Sequence, residues 1–543
     1  MCCNFINNTE NEHNDSYQKF AEFNSYFFVN IILLGDIMNM KYILFVFCFI
    51  LTLVSCQNNT IDPSKITALY IGDERIFCHD YWGMEAPYLM FLPLVIEEGD
   101  VERKTNGSLA EKWEHSEDYR EWTYYLRNGV KWHDGVPVTA HDIKFTMDLR
   151  MSGVADTLRP YSAQVVDDYT LTVSYKKPTD GTKEEDVYYP KHLLKNLDPN
   201  DFFNWDFWTE PIGNGPYRYV RHMSKTMMEV ESNPDYYLGE PKIKHLVFKF
   251  AENMNLIELL SGNVDILPYV ERDLLIKLDG DERFESYYWI GNMAHCIYWN
   301  HNNPLFENLR IRRALTMAIN RKELLQVMNY PEELPIIDAL VTNRQLTENN
   351  YPDPIPYDPE KAVQILEEEG WQLANGEDVR KRNGETFKFI MLTGGENALI
   401  PLYVQDQFRR IGIQMEIQDL DNNVFRQRAF LGEYEAVSFR ASLTPYKNPN
   451  WDHYKVYAHT SLFGYDNPQI DSLLQIADTI FDSGKLDTTY YQIANIFNED
   501  IPITFLFQIV FTFIVKHEIK GLESPYMANP VYNMEHLWID GSK

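Results

Sequence analysis

The sequence predicts a mixed α/β fold divided into two lobes, and three observations lead to that prediction. The chain has 543 residues, and chains of this length outgrow a single hydrophobic core and split into several units. Strand-like and helix-like patterns of apolar residues mix without strict alternation, which favours α/β to α+β architectures. The segment 503–515 is a long β-type apolar run, as expected of a strand at the centre of a sheet.

The composition is that of a soluble globular protein with an acidic surface. Hydrophobic residues make up 45% of the chain and charged residues 24%, which excludes collagen-like, low-complexity and polytopic membrane proteins. Asp and Glu total 80 against 49 Lys and Arg, so the formal net charge is −31. Such a surface repels phosphate backbones, and we therefore expect no nucleic-acid partner.

Several elements carry their own boundary signals. Segments 66–71 and 122–127 are β-rich, and the second is followed by the tight turn Asn128-Gly129 and a short strand over 130–132. Thr139 is expected to cap a helix from Ala140, with Asp142 completing a capping box. A further helix is expected between Asp358 and Gly370. Periodicity also predicts strands over 243–250 and 413–417, a helical region over 305–329, and helices over 402–411, 470–483 and 488–499.

The first 55 residues are predicted to be a targeting segment and its upstream extension rather than part of the fold. Lys41 precedes an apolar stretch over 42–54, and the small residue Ser55 lies at its end. This order is typical of a secretory signal peptide, and the stretch is shorter than the ~20 residues that span a bilayer. The segment LVSC at 53–56 is similar to the bacterial lipobox, in which the cysteine receives a diacylglycerol. A plain signal peptide with a chance cysteine is the alternative.

With Cys56 as the lipidated residue, the chain start divides into three parts. Residues 1–39 are expected to be a non-native upstream extension, 40–55 the lipoprotein signal peptide and 56–65 a tether. Met38 or Met40 is then the expected start, and the alternative for the run 27–34 is a second apolar helix. Cys78 and Cys296 are expected either to form a disulfide in an oxidising compartment or to remain two buried thiols.

Catalytic motifs are missing from the sequence. It contains no G-x-x-x-x-G-K-[ST], G-x-G-x-x-G, H-E-x-x-H or G-x-S-x-G segment. His133-Asp134 and His141-Asp142 look like a base and its orienting group, but each Asp is explained by a turn or a helix start. His295 and Cys296 lie in an apolar context that favours a buried thiol. We therefore expect no enzyme, no cofactor and no metal site.

Residues 108–143 carry a long run that is similar to a known signature. It reads SLAEKWE at 108–114 and WTYYLRNGVKWHDGVPVTAHDI at 122–143. This resembles the signature of family 5 solute-binding proteins, which are the oligopeptide, dipeptide and nickel binders of ABC importers. Further similar motifs follow in the family's order: GNGPY at 213–217, NPDYY at 233–237, SGNVD at 261–265 and AINR at 318–321. The resemblance covers roughly residues 66–540.

The resemblance implies an α/β clamp of two lobes, like periplasmic binding proteins of type II and cluster C. Lobe I would comprise 66–95, 205–295 and 509–543, with an extra subdomain over 96–204, and lobe II would comprise 296–508. A ligand would be trapped between the lobes by hinge closure. The implied protein is a monomer, lipid-anchored in the periplasm or at the surface of a bacterium. It would deliver peptides or peptide-like solutes to an ABC permease, with energy from a separate ATPase.

One segment departs from the family pattern. Peptide-binding members usually carry an Asp in a segment similar to G-W-x-A-D-Y-x-x-P, where it pairs with the peptide's α-ammonium. The corresponding segment 439–445 has no carboxylate and no Trp, and Arg440 introduces the opposite charge. We hypothesise a ligand that has no free ammonium near Arg440 or that presents a carboxylate there. Pairing of Arg440 with a local acid such as Asp452 is the alternative.

The candidate ligand-binding residues combine this segment with aromatic residues that would line a cleft, although core packing explains each aromatic equally well. They are Trp82, Tyr161, Trp299, Arg440, Ser442 and Trp451. Two other functions stay open. One is a binder of oligosaccharide, opine or chelated metal on the same fold, which the missing Asp favours. The other is a surface lipoprotein with an adhesive role.

Overall fold

The computed structural model describes most of the chain after residue 63. The described residues are 64–71, 89–98, 104–154, 161–183, 187–251, 256–268, 270, 275–278, 280–330, 334, 336–338, 352–394, 399–442, 464–477, 479–481, 483–522 and 534–540. The predicted upstream extension, signal peptide and lipobox lie outside these residues, as does the predicted tether up to residue 63. The last residue of the predicted tether is not part of a tether, because Lys65 begins the strand Lys65–Ile71. Among the residues described, no helix has the length and apolar character needed to cross a membrane.

The strands of the described residues are numbered in chain order. They are β1 (Lys65–Ile71), β2 (Val95–Glu98), β3 (Lys104–Gly107), β4 (Ala110–His115), β5 (Glu121–Leu126), β6 (Tyr161–Asp167), β7 (Thr170–Tyr175), β8 (Tyr217–Met223), β9 (Met227–Ser232), β10 (His245–Ala251), β11 (Ile266–Leu267), β12 (Phe284–Trp299), β13 (Lys381–Arg382), β14 (Glu385–Thr386), β15 (Lys388–Thr393), β16 (Gln414–Asp419), β17 (Ala436–Ser442), β18 (Ile503–Lys516), β19 (Ile519–Lys520) and β20 (Trp538–Ile539).

The helices are numbered in the same way. They are α1 (Ala140–Leu149), α2 (Lys191–Leu194), α3 (Leu256–Leu260), α4 (Pro304–Glu307), α5 (Leu309–Met317), α6 (Arg321–Val327), α7 (Pro359–Glu368), α8 (Leu399–Arg410), α9 (Asn422–Phe430), α10 (Pro468–Ala477) and α11 (Ser483–Asp500). A π-helical turn, Arg150–Val154, follows α1, and short 3₁₀ turns lie at Gly181–Lys183, Pro199–Asn204, Asp206–Trp208 and Ile276–Leu278.

Capping residues set several helix starts. At α1, the Asp142 carboxylate accepts hydrogen bonds from the backbone N–H of Thr139 at 2.9 Å and from its hydroxyl at 3.0 Å. At α7, Asp358 accepts from the N–H of Lys361 at 2.8 Å. These contacts satisfy backbone donors that a helix start leaves unpaired. The predicted capping box at Thr139 and the predicted cap at Asp358 are confirmed.

Three local predictions need correction. The helix predicted over 470–483 is shorter at its end, since α10 ends at Ala477 and residues 479–481 are not helical. Segment 130–132 is not a strand, because its pairing is limited to an isolated bridge between Lys131 and Pro137. The helical region 305–329 is broken into α4, α5 and α6. Asn308 and Asn320 cause the breaks, since their side chains accept from the N–H of Arg310 and Glu323 and so begin new helices.

One ten-stranded sheet organises the molecule. Its order is β16-β15-β17-β12-β18-β11-β1-β10-β9-β8. At one end β15 runs parallel to β16 and β17, and at the other β1 runs parallel to β10 and β11. The smaller sheets are β4-β5-β7-β6, β2-β3, β13-β14 and β19-β20.

The two central strands, β12 and β18, belong to both halves of this sheet. They pair antiparallel from Phe284 opposite Lys516 to Ile290 opposite Val510, and again from Ala294 opposite Gln508 onwards. Between these two stretches the register shifts, so that segment 291–293 opposes the single residue 509. This is a β-bulge, which bends and twists a strand pair locally. The two halves of the sheet therefore meet at this bulge.

The hydrophobic cores follow the same division. One large cluster combines residues between 66 and 266 with residues 513–537, and a small one joins 256–278 to Ile514. Two further clusters lie within residues 294–510. We call the half with the first two clusters lobe I and the half with the other two lobe II. The sheet β4-β5-β7-β6 packs into the large cluster of lobe I.

Candidate functional site at the hinge between the lobes

The carboxyl ends of the parallel strands point towards the bulge from both lobes. In lobe II, Ser442 at the end of β17 lies opposite Met293, and β15 and β16 run parallel to β17. In lobe I, Leu267 at the end of β11 lies opposite Ile514, and β1 and β10 run in the same direction. Open α/β sheets bind ligands outside the carboxyl ends of their strands. We call this region, the carboxyl ends of β1, β10, β11, β15, β16 and β17, the hinge edge.

Arg440 and His295 are neighbours at the hinge edge. They lie opposite each other in the pair of β17 and β12, with Arg440 exposed and His295 buried. Burial, with a smaller contribution from the charge of Arg440, lowers the pKa of His295 to about 3. The imidazole is therefore neutral at pH 7. Within the described part of the chain its Nδ1 has no hydrogen-bond partner.

The aromatic ring of Phe507 lies beside His295, with ring centroids 5.2 Å apart. Arg440, His295 and Phe507 lie opposite one another on β17, β12 and β18, so a cation, a neutral imidazole and an apolar ring are neighbours across the sheet. A guanidinium in such a place is suited to a carboxylate or another planar anion. Of the sequence-predicted residues, the structure brings Arg440 and Ser442 together at the hinge edge, because both lie on β17.

Trp299 does not line a cleft, which corrects its expected position. Its side chain is fully buried, and its Nε1 donates a hydrogen bond to the Thr504 hydroxyl at 2.9 Å. Its ring packs against Phe306, with centroids 4.9 Å apart. The register of β12 places Trp299 at the far end from the bulge. Trp299 is therefore a core residue of lobe II.

Of the remaining candidates, the structure describes Tyr161, which lies in lobe I. Tyr161 is the first residue of β6, half-buried, with its ring edge-on to Tyr175 at 6.0 Å. It packs against the core of lobe I in the sheet β4-β5-β7-β6. Cys56, Trp82 and Trp451 lie outside the described residues.

The histidine pairs of the sequence serve the fold. His133 is buried between two backbone groups of the GNGPY loop: its Nδ1 accepts from the N–H of Gly213 at 3.2 Å, and its Nε2 donates to the Gly215 carbonyl at 3.1 Å. Burial lowers the pKa of His133 to about 4, which keeps it neutral. Asp134 instead contacts His192 at 2.7 Å. His133 and Asp134 thus each have a separate structural contact, as the turn interpretation of this segment expects.

Cys296 is a buried free thiol within the described chain, and burial raises its pKa well above the ordinary value. Such a thiol is a poor nucleophile. Cys78, with which Cys296 is expected to form a disulfide or to remain a second buried thiol, lies outside the described residues. Among the residues that are described, no group of His, Cys, Asp and Glu is arranged to hold a metal ion.

A family model decides the identity of the fold. The model described as "Bacterial extracellular solute-binding proteins, family 5 Middle" matches residues 104–461, which is more than half of the chain. The chain belongs to this family. Its mixed α/β fold is the two-lobed type II architecture of these proteins.

Curated relatives agree with the family match. The chain is 25% identical over 471 residues to the oligopeptide-binding protein AppA of Bacillus subtilis, which covers 80% of this chain and 83% of AppA. It is also 25% identical over 390 residues to the nickel-binding periplasmic protein of Escherichia coli, which covers 66% of this chain and 72% of the relative. These relatives are solute-binding proteins.

Solved structures share the fold. AppA of Bacillus subtilis in complex with a nonapeptide superposes with a TM-score of 0.68 and 23% identity, covering 88% of this chain and 98% of that structure. NikZ of Campylobacter jejuni in complex with Ni(L-His) superposes with a TM-score of 0.71 and 19% identity, covering 88% of this chain and all of that structure.

In this family 5 protein, sequence reasoning missed the structural role of one acidic motif residue. Asp265, the last residue of SGNVD, accepts from the Lys516 ammonium at 2.5 Å and from the N–H of Thr67 at 2.7 Å. It therefore fastens β1 and β18 beside β11 in lobe I. The motif itself was visible in the sequence, but its partners lie 198 and 251 residues away along the chain.

Proposed function

We propose that this family 5 protein is the substrate-binding component of an ABC importer, capturing peptides or peptide-like solutes at the hinge edge and delivering them to a permease. The observation that carries the proposal is the convergence of the parallel strand ends of both lobes on the bulge between β12 and β18. The relative named for oligopeptide binding, and its structure with a nonapeptide, support peptides as the solute class.

Arg440 sets the chemistry of the solute that we propose. Arg440 lies on β17 at the lobe II side of the hinge edge, where the α-ammonium of a peptide would meet a like charge. Uncompensated charge is costly to desolvate. The proposed solute therefore presents a carboxylate to Arg440, or carries no free amine there. His295, held neutral beside Arg440, adds no second cation and offers its Nδ1 or Nε2 for a neutral hydrogen bond.

We further propose that the mature protein is a monomer, attached to a bacterial membrane through a lipid on Cys56, in the periplasm or at the cell surface. The LVSC segment at the end of the apolar run supports this anchor. We propose the division into lobe I (66–95, 205–295 and 509–543), its subdomain (96–204) and lobe II (296–508). The separate core clusters support the boundary between the two lobes, and the proposed subdomain shares the large cluster of lobe I. Mass spectrometry of the N-terminal peptide from membranes tests the anchor, with Cys56→Ala as control.

A direct test uses the full chain and four versions of one peptide: free, N-acetylated, C-amidated, and both. Thermal unfolding and calorimetry are expected to show stabilisation by the free and N-acetylated peptides, because a ligand that binds the native state raises stability. C-amidation and Arg440→Gln are each expected to weaken binding about tenfold or more. The matched control is Arg409→Gln, an exposed arginine of lobe II that pairs with Asp406 on α8.

The contrary result is equally clear. If free-amine peptides bind tightly, N-acetylation abolishes binding and Arg440→Gln changes nothing, the proposed carboxylate contact is wrong. Intact peptides are expected at the end of the incubation, since the proposal includes no catalytic step. Cleaved peptide would instead support an enzyme.

A second candidate is a metal bound to a small organic chelator. It is favoured by the nickel-binding relative and by the structure with Ni(L-His), because an amino-acid chelator also presents a carboxylate to a guanidinium. Mass spectrometry of the co-purifying solute separates the two: a metal-dependent mass with no peptide fragments would favour the chelate. Stabilisation by neutral oligosaccharides alone, or by no solute at all, would favour a sugar binder or an adhesive lipoprotein.

A further inference from the structure

The ring of Tyr119 in lobe I stacks on the ring of Phe481 in lobe II, and neither residue belongs to the connecting strands β12 and β18. The two ring centroids are 3.9 Å apart and the ring planes differ by 7°. Tyr119 lies in the turn between β4 and β5 and packs against the large core of lobe I. Phe481 follows Ile480, which packs against a core of lobe II. The stack is therefore a contact between the two lobes.

The stack continues into lobe I. The ring of His115 lies 4.2 Å from that of Tyr119 at an angle of 18°, and the ring of Trp122 lies 4.8 Å from that of His115. Trp122 is buried in the core of lobe I. Its Nε1 donates to the Thr179 carbonyl at 2.9 Å, which holds the base of the stack. One face of the Tyr119 ring thus packs on His115, and the ring also stacks with Phe481.

The backbone of Tyr119 adopts the left-handed conformation, with φ of 56°. Glycine adopts this region freely, whereas a bulky side chain there is strained. The turn does not depend on the ring: the Ser116 hydroxyl donates to Asp118 at 2.6 Å and accepts from the N–H of Glu121 at 3.0 Å. A strained residue that the turn does not require points to a role for its side chain.

We infer that Tyr119 and Phe481 form a latch that holds the two lobes together outside the connecting strands β12 and β18. Hinge motion separates lobes that are joined by a few strands, and separation would expose both rings to water. Closing the stack buries them again and adds the attraction of paired aromatic rings. The latch thus biases the lobes towards the arrangement in this structure before any solute binds. This inference goes beyond the proposed function, since it concerns the equilibrium of the unliganded protein.

The test measures the distance between the lobes in the full chain without solute. Spin labels on genetically encoded ketone residues at Val166 in lobe I and Ile476 in lobe II, both exposed, report the populations by pulsed electron resonance. Tyr119→Gly is the main variant, because glycine fits the backbone and keeps the turn folded. We expect it to raise the ratio of separated to closed lobes about 2- to 10-fold, the range of one aromatic pair.

Further variants make the result specific. Phe481→Ala is expected to match Tyr119→Gly, and the double variant is expected to equal either single one, because both changes remove the same contact. Tyr119→Phe is expected to retain the wild-type distribution. The control Lys225→Gly relieves a left-handed residue in the turn between β8 and β9, with φ of 55°, and is expected to leave the distances unchanged.

An unchanged distance distribution in Tyr119→Gly overturns the latch, as does a double variant whose effect equals the sum of the single ones. The sample contains no solute, so a failure of peptide binding leaves this measurement unaffected. Conversely, peptide binding with unaltered lobe distances in all variants would leave the proposed function standing and remove the latch.

Discussion

Arg321 and Asp338 form a bidentate ion pair in the interior of lobe II. Each side chain is only 5% exposed, and Nη2 of Arg321 lies 3.0 Å from Oδ2 of Asp338. The same guanidinium donates to the Phe505 carbonyl at 3.1 Å, and the same carboxylate accepts from the N–H of Ile355 at 2.6 Å. The pair therefore ties α6 to two distant segments and to β18.

Asp338→Ala is expected to destabilise lobe II strongly. Removing the carboxylate leaves the guanidinium of Arg321 buried without its counter-charge, which costs about 3–5 kcal/mol. The control is Asp406→Ala, which removes the partner of the exposed Arg409 and is expected to cost about 0–1 kcal/mol. Urea unfolding of both variants measures the difference, and equal losses would contradict the structural role of the buried pair.

Trp299→Phe is expected to lower stability and leave solute binding alone. The change removes the hydrogen bond from Trp299 to Thr504, so the buried hydroxyl oxygen of Thr504 loses this donor. The free energy of unfolding is expected to fall by about 1–3 kcal/mol. Thermal unfolding together with calorimetry against the bound solute checks both parts. Trp538→Phe, at a more exposed ring, is the control. Unchanged stability together with weakened solute binding would contradict the core position and indicate that Trp299 lines the cleft.

Glu535 is expected to make stability depend on pH between about 4.5 and 8. Burial raises the pKa of Glu535 from 4.5 to about 8, so the folded state holds a proton that the unfolded state releases. Its contribution is fully present below pH 4.5 and is lost as pH rises through 8. Glu535→Gln removes this loss. The free energy of unfolding of the variant minus that of the wild type is therefore expected to be about 1–3 kcal/mol larger at pH 8 than at pH 5. Denaturant titrations at both pH values measure it.

The control for Glu535 is Glu385→Gln, at an exposed position of β14. It is expected to leave the difference between pH 5 and pH 8 as in the wild type. A Glu535→Gln variant with the wild-type pH profile would show that this carboxyl does not titrate in the expected range.

His133 is expected to stay neutral until strongly acidic pH. Burial lowers its pKa from 6.5 to about 4, so its contribution to stability is present above pH 6.5 and is lost as pH falls through 4. Nitrogen-15 spectra of the imidazole are expected to show a proton on Nε2 and a bare Nδ1, matching the contacts with Gly215 and Gly213. The opposite tautomer, or titration near 6.5, would contradict this arrangement.

Local chemistry was readable from the sequence where neighbours in the chain make the contact. Thr139 with Asp142 and Asp358 with Lys361 are such cases, because the partners are three positions apart in the chain. The motif order likewise predicted the two-lobed α/β fold. The position of Trp299 was not readable, because its burial depends on Thr504, 205 residues further along. The contact of Tyr119 with Phe481 could not be predicted for the same reason, since only the folded chain brings these residues together.

The late position of β18 in the chain has a consequence for biosynthesis. This strand supplies the centre of the large sheet and pairs with β11 in lobe I and with β12 across the bulge. Because segment 503–516 follows the other nine strands of the large sheet in the chain, neither lobe can complete its part of that sheet until this segment has left the ribosome. The growing polypeptide therefore keeps the large sheet open from the synthesis of β1 until that of β18, and the folding of both lobes waits for the same strand.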